Sequence, residues 1–284
     1  MEEMTQSTLL ALFAHPDDES FGCGGALARL ADEGHRVLLV CATRGELGEI
    51  SDPALATPEN LGEVREQELR NAADALGISE VIFLDYRDSG MAGTEGNNDP
   101  RAFSAQPPDV VVRQLVGIIR RERPGAILTF EPNGGYGHPD HIAMHHNAMA
   151  AVSAAGVGAY APDMGRPWRT PRVWWSVIPQ QALRGLRDAM VTVGMESDWA
   201  EELIESGAGW PDDDVDLNLD VAAWADKKWR SFEAHATQFG EDSLFRRAKD
   251  ALGDAILGQE TFVLAIGDKE PTGTLIAPPT GTPS

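Results

Sequence analysis

Cysteine is almost missing from this chain. Cys23 and Cys41 are the only two in 284 residues, too few for a disulfide framework. Both lie in apolar surroundings, which favours small buried hydrophobes over thiol chemistry. Lysine is nearly as scarce: Lys227, Lys228, Lys249 and Lys269 are the full set, and arginine supplies the other basic charges. Positive charge is short overall, with 23 Lys and Arg against 45 Asp and Glu and a formal net charge of −22. That deficit argues against nucleic-acid phosphates, which require basic patches, and against anionic membrane surfaces. No apolar run approaches the roughly 18 residues of a membrane span. Residues Met1 to Ser7 are acidic and polar, without the basic region and apolar core of a secretory signal. The expectation is a soluble, cytoplasmic protein with no membrane or nucleic-acid partner.

What is present is apolar sequence in short pieces. With 42% hydrophobic residues, the length suits one large α/β domain. Residues 8–14, 37–42, 80–84 and 126–130 are nearly continuous apolar runs, the pattern of strands buried on both faces of a parallel sheet. Helical patterns separate them over 26–32, 63–76 and 109–121, and the first two run into Gly34 and Gly77 as stops. This alternation implies right-handed crossovers and a doubly wound sheet, with sites at the carboxyl ends of its strands. The connections 43–62 and 85–107 are long, and long loops at that edge line or cover a site. Further on, strands are expected at 173–178, 215–219 and 261–266, and helices over 221–238 and 243–257. The turn-rich stretch 156–171 starts a smaller C-terminal α/β layer of the same domain. A single domain over 1–267 is predicted, with a loose Pro-, Thr- and Gly-rich tail at 268–284.

Two polar clusters interrupt this pattern. The first apolar run ends in His15-Pro16-Asp17-Asp18-Glu19, and the fourth runs through Glu131 and Tyr136 into His138-Pro139-Asp140-His141. Three neighbouring acids repel one another unless something positive sits among them. Imidazole with carboxylate is a ligand set that zinc and its neighbours accept. A helix N-terminus gathering acids explains Asp17, Asp18 and Glu19, but not the histidine and proline. First and fourth strands are neighbours across the switch point of a doubly wound sheet, so one metal can be held from both. His145 follows His141 by one turn and is placed in the core or behind the ligands. His235 is balanced between core packing and an approach to the site. Gly22 and Gly24 begin a G-x-G-x-x-G pattern that fails at Leu27, and the acids before it would repel a pyrophosphate.

The paired motifs resemble the signature of the LmbE-like / PIG-L family of metal-dependent N-deacetylases. The similarity covers roughly residues 8–150, including Arg65-Glu66-Gln67-Glu68-Leu69 and Asp85-Tyr86-Arg87-Asp88-Ser89-Gly90-Met91, with a weaker echo at His235-Ala236-Thr237-Gln238. The resemblance implies a Rossmann-like fold and hydrolysis of N-acetyl groups on small glucosamine-type molecules. It implies His15, Asp18 and His141 as zinc ligands, with Fe2+ or another divalent ion as the alternative metal. Asp17 is then the general base and His138 the oxyanion stabiliser or general acid. Asp140 orients an imidazole, and Tyr136 reaches the tetrahedral intermediate. Arg65, Asp88 and Ser20 are placed with the substrate. From the residues alone, Asp17 and Asp18 are interchangeable; only the resemblance separates base from ligand.

Three protein ligands and an open position suit a catalytic metal, with a nearby carboxylate to take a proton from water. The expected partner is a small N-acetylated amino sugar, and a homo-oligomer is compatible with the sequence. Three rival readings share the site. One is an amidase of thiol conjugates, disfavoured by Ser20, where such amidases tend to carry lysine. A non-haem Fe(II) enzyme would also use two histidines and one carboxylate. The third is a non-catalytic sugar-binding module, whose structural metal would need a closed, four-ligand site.

Overall fold

The four apolar runs become one side of a seven-stranded sheet, from its edge to its middle strand. In the computed structural model, which describes residues 6–192, 194, 197–240, 243–269 and 273–276, the strands are β1 Thr8–Phe13, β2 Arg36–Cys41, β3 Glu80–Phe83, β4 Ala126–Phe130, β5 Arg172–Val177, β6 Leu217–Asp220 and β7 Gln259–Ile266. Their spatial order is β3-β2-β1-β4-β5-β7-β6. The pairs β1–β2, β1–β4, β2–β3 and β4–β5 are parallel, whereas β5–β7 and β6–β7 are antiparallel. The C-terminal strands therefore extend the same sheet at one side instead of forming a layer apart. Strand β1 lies inside the sheet between β2 and β4, and its Leu9, Leu10, Ala11 and Leu12 are fully buried.

The helices are α1 Asp18–Phe21, α2 Gly24–Asp32, α3 Leu61–Leu76, α4 Pro108–Glu122, α5 Gly134–Gly137, α6 Pro139–Ala155, α7 Gln180–Thr192, α8 Asp198–Glu205, α9 Ala225–Ala234 and α10 Leu244–Leu252. The strand order reverses direction between β1 and β4. With right-handed crossovers, α2 and α3 then lie on one face and α4 and α6 on the other. Helix α9 packs with α2 and α3. No helix among the described residues is long and apolar enough to cross a membrane.

Differences from the sequence expectation concentrate after residue 170. Helices α7 and α8 were not anticipated. The helix expected over 221–238 ends at Ala234, because the polar groups of the next four residues are bonded to other parts of the chain. The helix expected over 243–257 stops at Gly253, which takes a φ of 73°. In the expected tail, residues 270–272 and 277–284 lie outside the described residues. Within it Leu275 and Ile276 are buried, and Trp174 Nε1 donates to Leu275 O at 2.8 Å.

Candidate metal centre

Both polar clusters sit where strands β1 and β4 end, and the parallel pairing of Leu9 with Ala126 and Ala11 with Leu128 brings those ends side by side. Phe13 and Phe130 meet edge to face at 5.0 Å beneath them, and His141 stacks on Phe130 at 4.1 Å. His15 and His141 are buried to 6% and 2% exposure, so each ring is held in place by packing as well as by hydrogen bonds.

The hydrogen bonds fix which ring nitrogens carry protons. His141 Nδ1 faces the carbonyl of Gly134 at 3.1 Å. A carbonyl can only accept, so Nδ1 donates and Nε2 presents a bare lone pair. His15 Nε2 faces Asp140 Oδ2 at 3.2 Å and Asp88 Oδ1 at 3.5 Å, which likewise leaves Nδ1 as the bare nitrogen. In the neutral rings these two lone pairs lie 3.1 Å apart, a contact that a proton on His15 or a metal ion between them would relieve. Asp18 completes the set, with Oδ1 3.3 Å from His141 Nε2 and Oδ2 3.8 Å from His15 Nδ1. Three electron-rich atoms this close repel unless a positive charge lies among them. Ligand bonds of about 2.0–2.1 Å at tetrahedral angles put donors roughly 3.3 Å apart, so the observed separations fit a divalent metal.

The local electrostatics point the same way. Burial opposes an imidazolium at His15, but the carboxylates of Asp88, Asp140 and Asp18 outweigh it and raise its pKa well above the ordinary value. Burial and the neighbouring His15 push His141 well below its ordinary value. The cluster thus favours one positive charge at its centre. Burial raises Asp18 as well, partly offset by His15.

His138 lies close enough to His15 and His141 for the three to hold one ion, and Asp17 stands beside them. Burial pushes Asp17 up to about 6, although the Arg65 guanidinium holds it back. His138 is lowered to about 3 by burial and then by His15 and His141, so its ring is neutral near pH 7. His138 Nδ1 accepts from Asp140 N at 3.2 Å, leaving the proton on Nε2. His138 is therefore a neutral N–H donor with its ring 4.5 Å from that of His15. Tyr136 stands at the lip, 50% exposed, with its ring 5.1 Å from that of His141. Gly134 has to be glycine here: its φ is +65°, and a Cβ would lie 2.6 Å from His141 Cβ.

The three side chains assigned to substrate are all buried, with polar atoms on protein partners. Arg65 donates to Gly45 O at 2.8 Å, Pro16 O at 2.6 Å and Asp17 Oδ2 at 3.0 Å. Asp88 accepts from Leu47 N and Gly90 N at 3.1 and 2.8 Å and turns one oxygen towards His15. Ser20 Oγ donates to Glu19 Oε1 at 2.6 Å. Asp88 thus stitches the loops 43–60 and 85–107 together behind the metal donors. Asp140 faces an imidazole, that of His15, and also accepts from Ser89 N and Ser104 N. His145 Nδ1 bonds to Phe130 O at 2.9 Å, one turn behind the donors. His235 reaches the first cluster: its Nε2 lies 2.7 Å from Glu19 Oε1. The sequence signal for that contact was only the fragment His235-Ala236-Thr237-Gln238.

Two histidines, a carboxylate, and a second acid and neutral imidazole beside them, all at the carboxyl edge of a doubly wound sheet, are the equipment of a metal-dependent hydrolase. Comparison with known proteins narrows the class. Residues 10–152 match the family model PIG-L, GlcNAc-PI de-N-acetylase, and the chain belongs to that family of N-deacetylases. It is 40% identical over 272 residues to the 1D-myo-inositol 2-acetamido-2-deoxy-alpha-D-glucopyranoside deacetylase of Geodermatophilus obscurus, covering 92% of each protein. Among solved structures it resembles the N,N'-diacetylchitobiose deacetylase of Pyrococcus horikoshii, with a TM-score of 0.65 at 20% identity over 92% of this chain and 84% of that one. The 4-carboxy-2-hydroxymuconate hydratase of Pseudomonas putida KT2440 also matches, with a TM-score of 0.63 at 22% identity over 93% of this chain and 98% of that one. At such identities the likeness is one of fold, and one fold carries both hydrolysis and hydration.

Proposed function

We propose that this chain removes the acetyl group from the glucosamine nitrogen of a small, uncharged glycoside, with an N-acetylglucosaminyl inositol as its best candidate substrate. The relative from Geodermatophilus obscurus, matched over 92% of both chains, is named for that substrate. An uncharged substrate also suits a protein of net charge −22, which repels polyanions. The observation that carries the reaction class is the convergence of His15 Nδ1, His141 Nε2 and Asp18 within 3.1–3.8 Å.

His15, Asp18 and His141 would hold the metal, which we take to be zinc, with Fe2+ the alternative that the same N,N,O donor set accepts. A divalent cation there supplies Lewis acidity towards water and the amide carbonyl. Asp17, as carboxylate, takes the proton of the attacking water and later returns it to the departing amine. His138 offers its Nε2 proton to the oxygen on which negative charge develops, and Tyr136 can add a second donor from the lip. A neutral His138 fits the role of oxyanion donor better than that of a pre-charged acid. Asp140 and Asp88 hold the ring of His15, the arrangement by which a buried carboxylate fixes a ligand's tautomer. The products are acetate and a primary amine.

An amine-release assay tests the reading. The purified protein, loaded in turn with Zn2+ and Fe2+, is offered the N-acetylglucosaminyl inositol, free N-acetylglucosamine, N,N'-diacetylchitobiose and an acetyl-lysine peptide. The inositol glycoside should have the highest kcat/KM, and chelation should abolish turnover. Preference for the peptide, or no amine release from any sugar with either metal, would overturn the proposal.

A further inference from the structure

Asp17 has a backbone that its side chain does not favour. Its φ is 123° with ψ at −24°, outside the allowed regions of an L-residue and comfortable only for glycine. Such conformations persist where the surroundings over-determine them, and they concentrate at functional sites. The Asp17 carbonyl accepts from Ser20 N and Phe21 N at 2.9 and 3.3 Å, and three side-chain contacts add to the hold. Arg65 Nη2 bonds both Pro16 O and Asp17 Oδ2, at 2.6 and 3.0 Å. Glu19 Oε2 accepts the Asp17 N–H at 3.0 Å. Glycines at 45 and 48 make room for the first contact: a Cβ at either position would lie within 2.4 Å of Arg65 Nη1.

Glu19 is in turn held from the far end of the chain. It is fully buried, and its Oε1 accepts from Ser20 Oγ at 2.6 Å and pairs with His235 Nε2 at 2.7 Å. His235, just past the end of α9, is also fully buried. Its Nδ1 has no partner among the described residues, so the one hydrogen bond of the ring there is the one to Glu19. A buried imidazole with a single polar contact, 216 residues away in sequence, is costly unless that contact matters.

We propose that His235 is a positioning residue for Asp17. Acting through Glu19, it fixes the strained peptide of Asp17 so that the carboxylate faces the reacting water. The C-terminal part of the chain thereby sets the geometry of a site whose reacting groups all come from the first half. This rests on the reading of Asp17 as general base.

Glu19→Gln is the sharpest probe. Every neighbour of the Glu19 carboxylate is a donor: Asp17 N at one oxygen, Ser20 Oγ and His235 Nε2 at the other. An amide of the same shape turns its NH2 either to Asp17 N, which breaks that bond, or to Ser20 Oγ and His235 Nε2, which must then give up their donor roles; either way the negative charge is lost. On the zinc-loaded enzyme, with the N-acetylglucosaminyl inositol as substrate, Glu19→Gln and His235→Ala should each lower kcat on the order of 10- to 100-fold. KM and metal content should stay within about twofold of wild type, because the binding groups and donors are untouched. His235→Gln, which can present an N–H near the position of Nε2, should recover most of the loss. Thr237→Val is the control. It removes the Thr237 Oγ1 bond to Glu68, 2.6 Å long, and so loosens the same segment without touching Glu19; it should lower Tm and leave kcat alone.

Equal loss of kcat in Thr237→Val and His235→Ala would reduce the effect to general loosening and overturn the proposal. So would wild-type kcat in both Glu19→Gln and His235→Ala. Asp17→Asn, measured alongside, separates the two failures. An inactive Asp17→Asn with a fully active His235→Ala sinks the positioning role alone, whereas a fully active Asp17→Asn sinks the general-base reading and the positioning role with it.

Discussion

The first 155 residues and the 129 that follow them do different work on one sheet. In the first part, β1 and β4 are parallel neighbours, and each ends in a proline-stiffened cluster of candidate metal donors. In the second, β7 and β6 run antiparallel at the sheet's margin, and the polar groups that reach inward bond to protein. Glu260, on β7, accepts from Gly25 N and Ala26 N at 2.8 and 2.7 Å and pairs with Lys228 of α9 at 2.7 Å. His235 does the same for Glu19. The lesson is that the candidate reacting groups come from one part of the chain and their support from both: Asp88, Asp140 and Arg65 brace from the first, His235 from the second. Donors came from strand ends, and the braces came from whatever packed over them.

Substitutions can break that division, and the largest effect belongs to the first part. His141→Ala should lose bound metal and turnover together, as metal analysis of the purified variant would show. Full metal content would move the third donor to His145, whose Nδ1 on Phe130 O likewise leaves Nε2 bare, or elsewhere. Next, Asp17→Asn should keep its metal and lose roughly 10²–10⁴ in kcat, the usual share of a general base. His138→Ala should follow with a loss of about 10²–10³ in kcat at constant metal content. If this variant instead lost its metal, His138 would be a fourth ligand, and the closed site would favour a binding module over an enzyme.

The second part should respond in stability. Lys228→Met leaves Glu260 buried at 3% exposure without its counter-ion. Breaking a buried pair from one side costs about 3–5 kcal/mol, which urea unfolding would register. The kcat of the folded enzyme should not change, and a large drop in kcat would blur the contrast between the two parts.

The mildest perturbation is pH. Asp17, raised to about 6 chiefly by burial, must be a carboxylate to accept a proton. Activity is therefore present above that value and lost as pH falls through it. A profile of log kcat/KM should bend downward near pH 6 in the wild type, and a profile flat down to pH 4 would remove Asp17 from the reaction.

Much of this was legible in the sequence because it rests on local chemistry. Buried parallel strands must be apolar on both faces, so β1 to β4 announced themselves. Donor clusters must be polar where the surroundings are not, so His15, Asp18, His138 and His141 stood out at the strand ends. Antiparallel strands and amphipathic helices at the margin carry a weaker pattern. Helices α7 and α8 accordingly went unnoticed, and α9 was drawn too long.

The sequence by itself determined the inventory: two acid-and-histidine clusters, their place at the ends of strands, and the reaction class those groups allow. Tertiary structure decided how each group is used, because proton positions and side-chain direction depend on partners distant in the chain. It gave His15 its tautomer through Asp140 and Asp88. It turned Arg65 and Asp88, read as sugar contacts, onto Asp17 and His15. It brought His235 across 216 residues to Glu19. A residue's type is written in the chain, but its partner is fixed only when burial leaves it one place to bond.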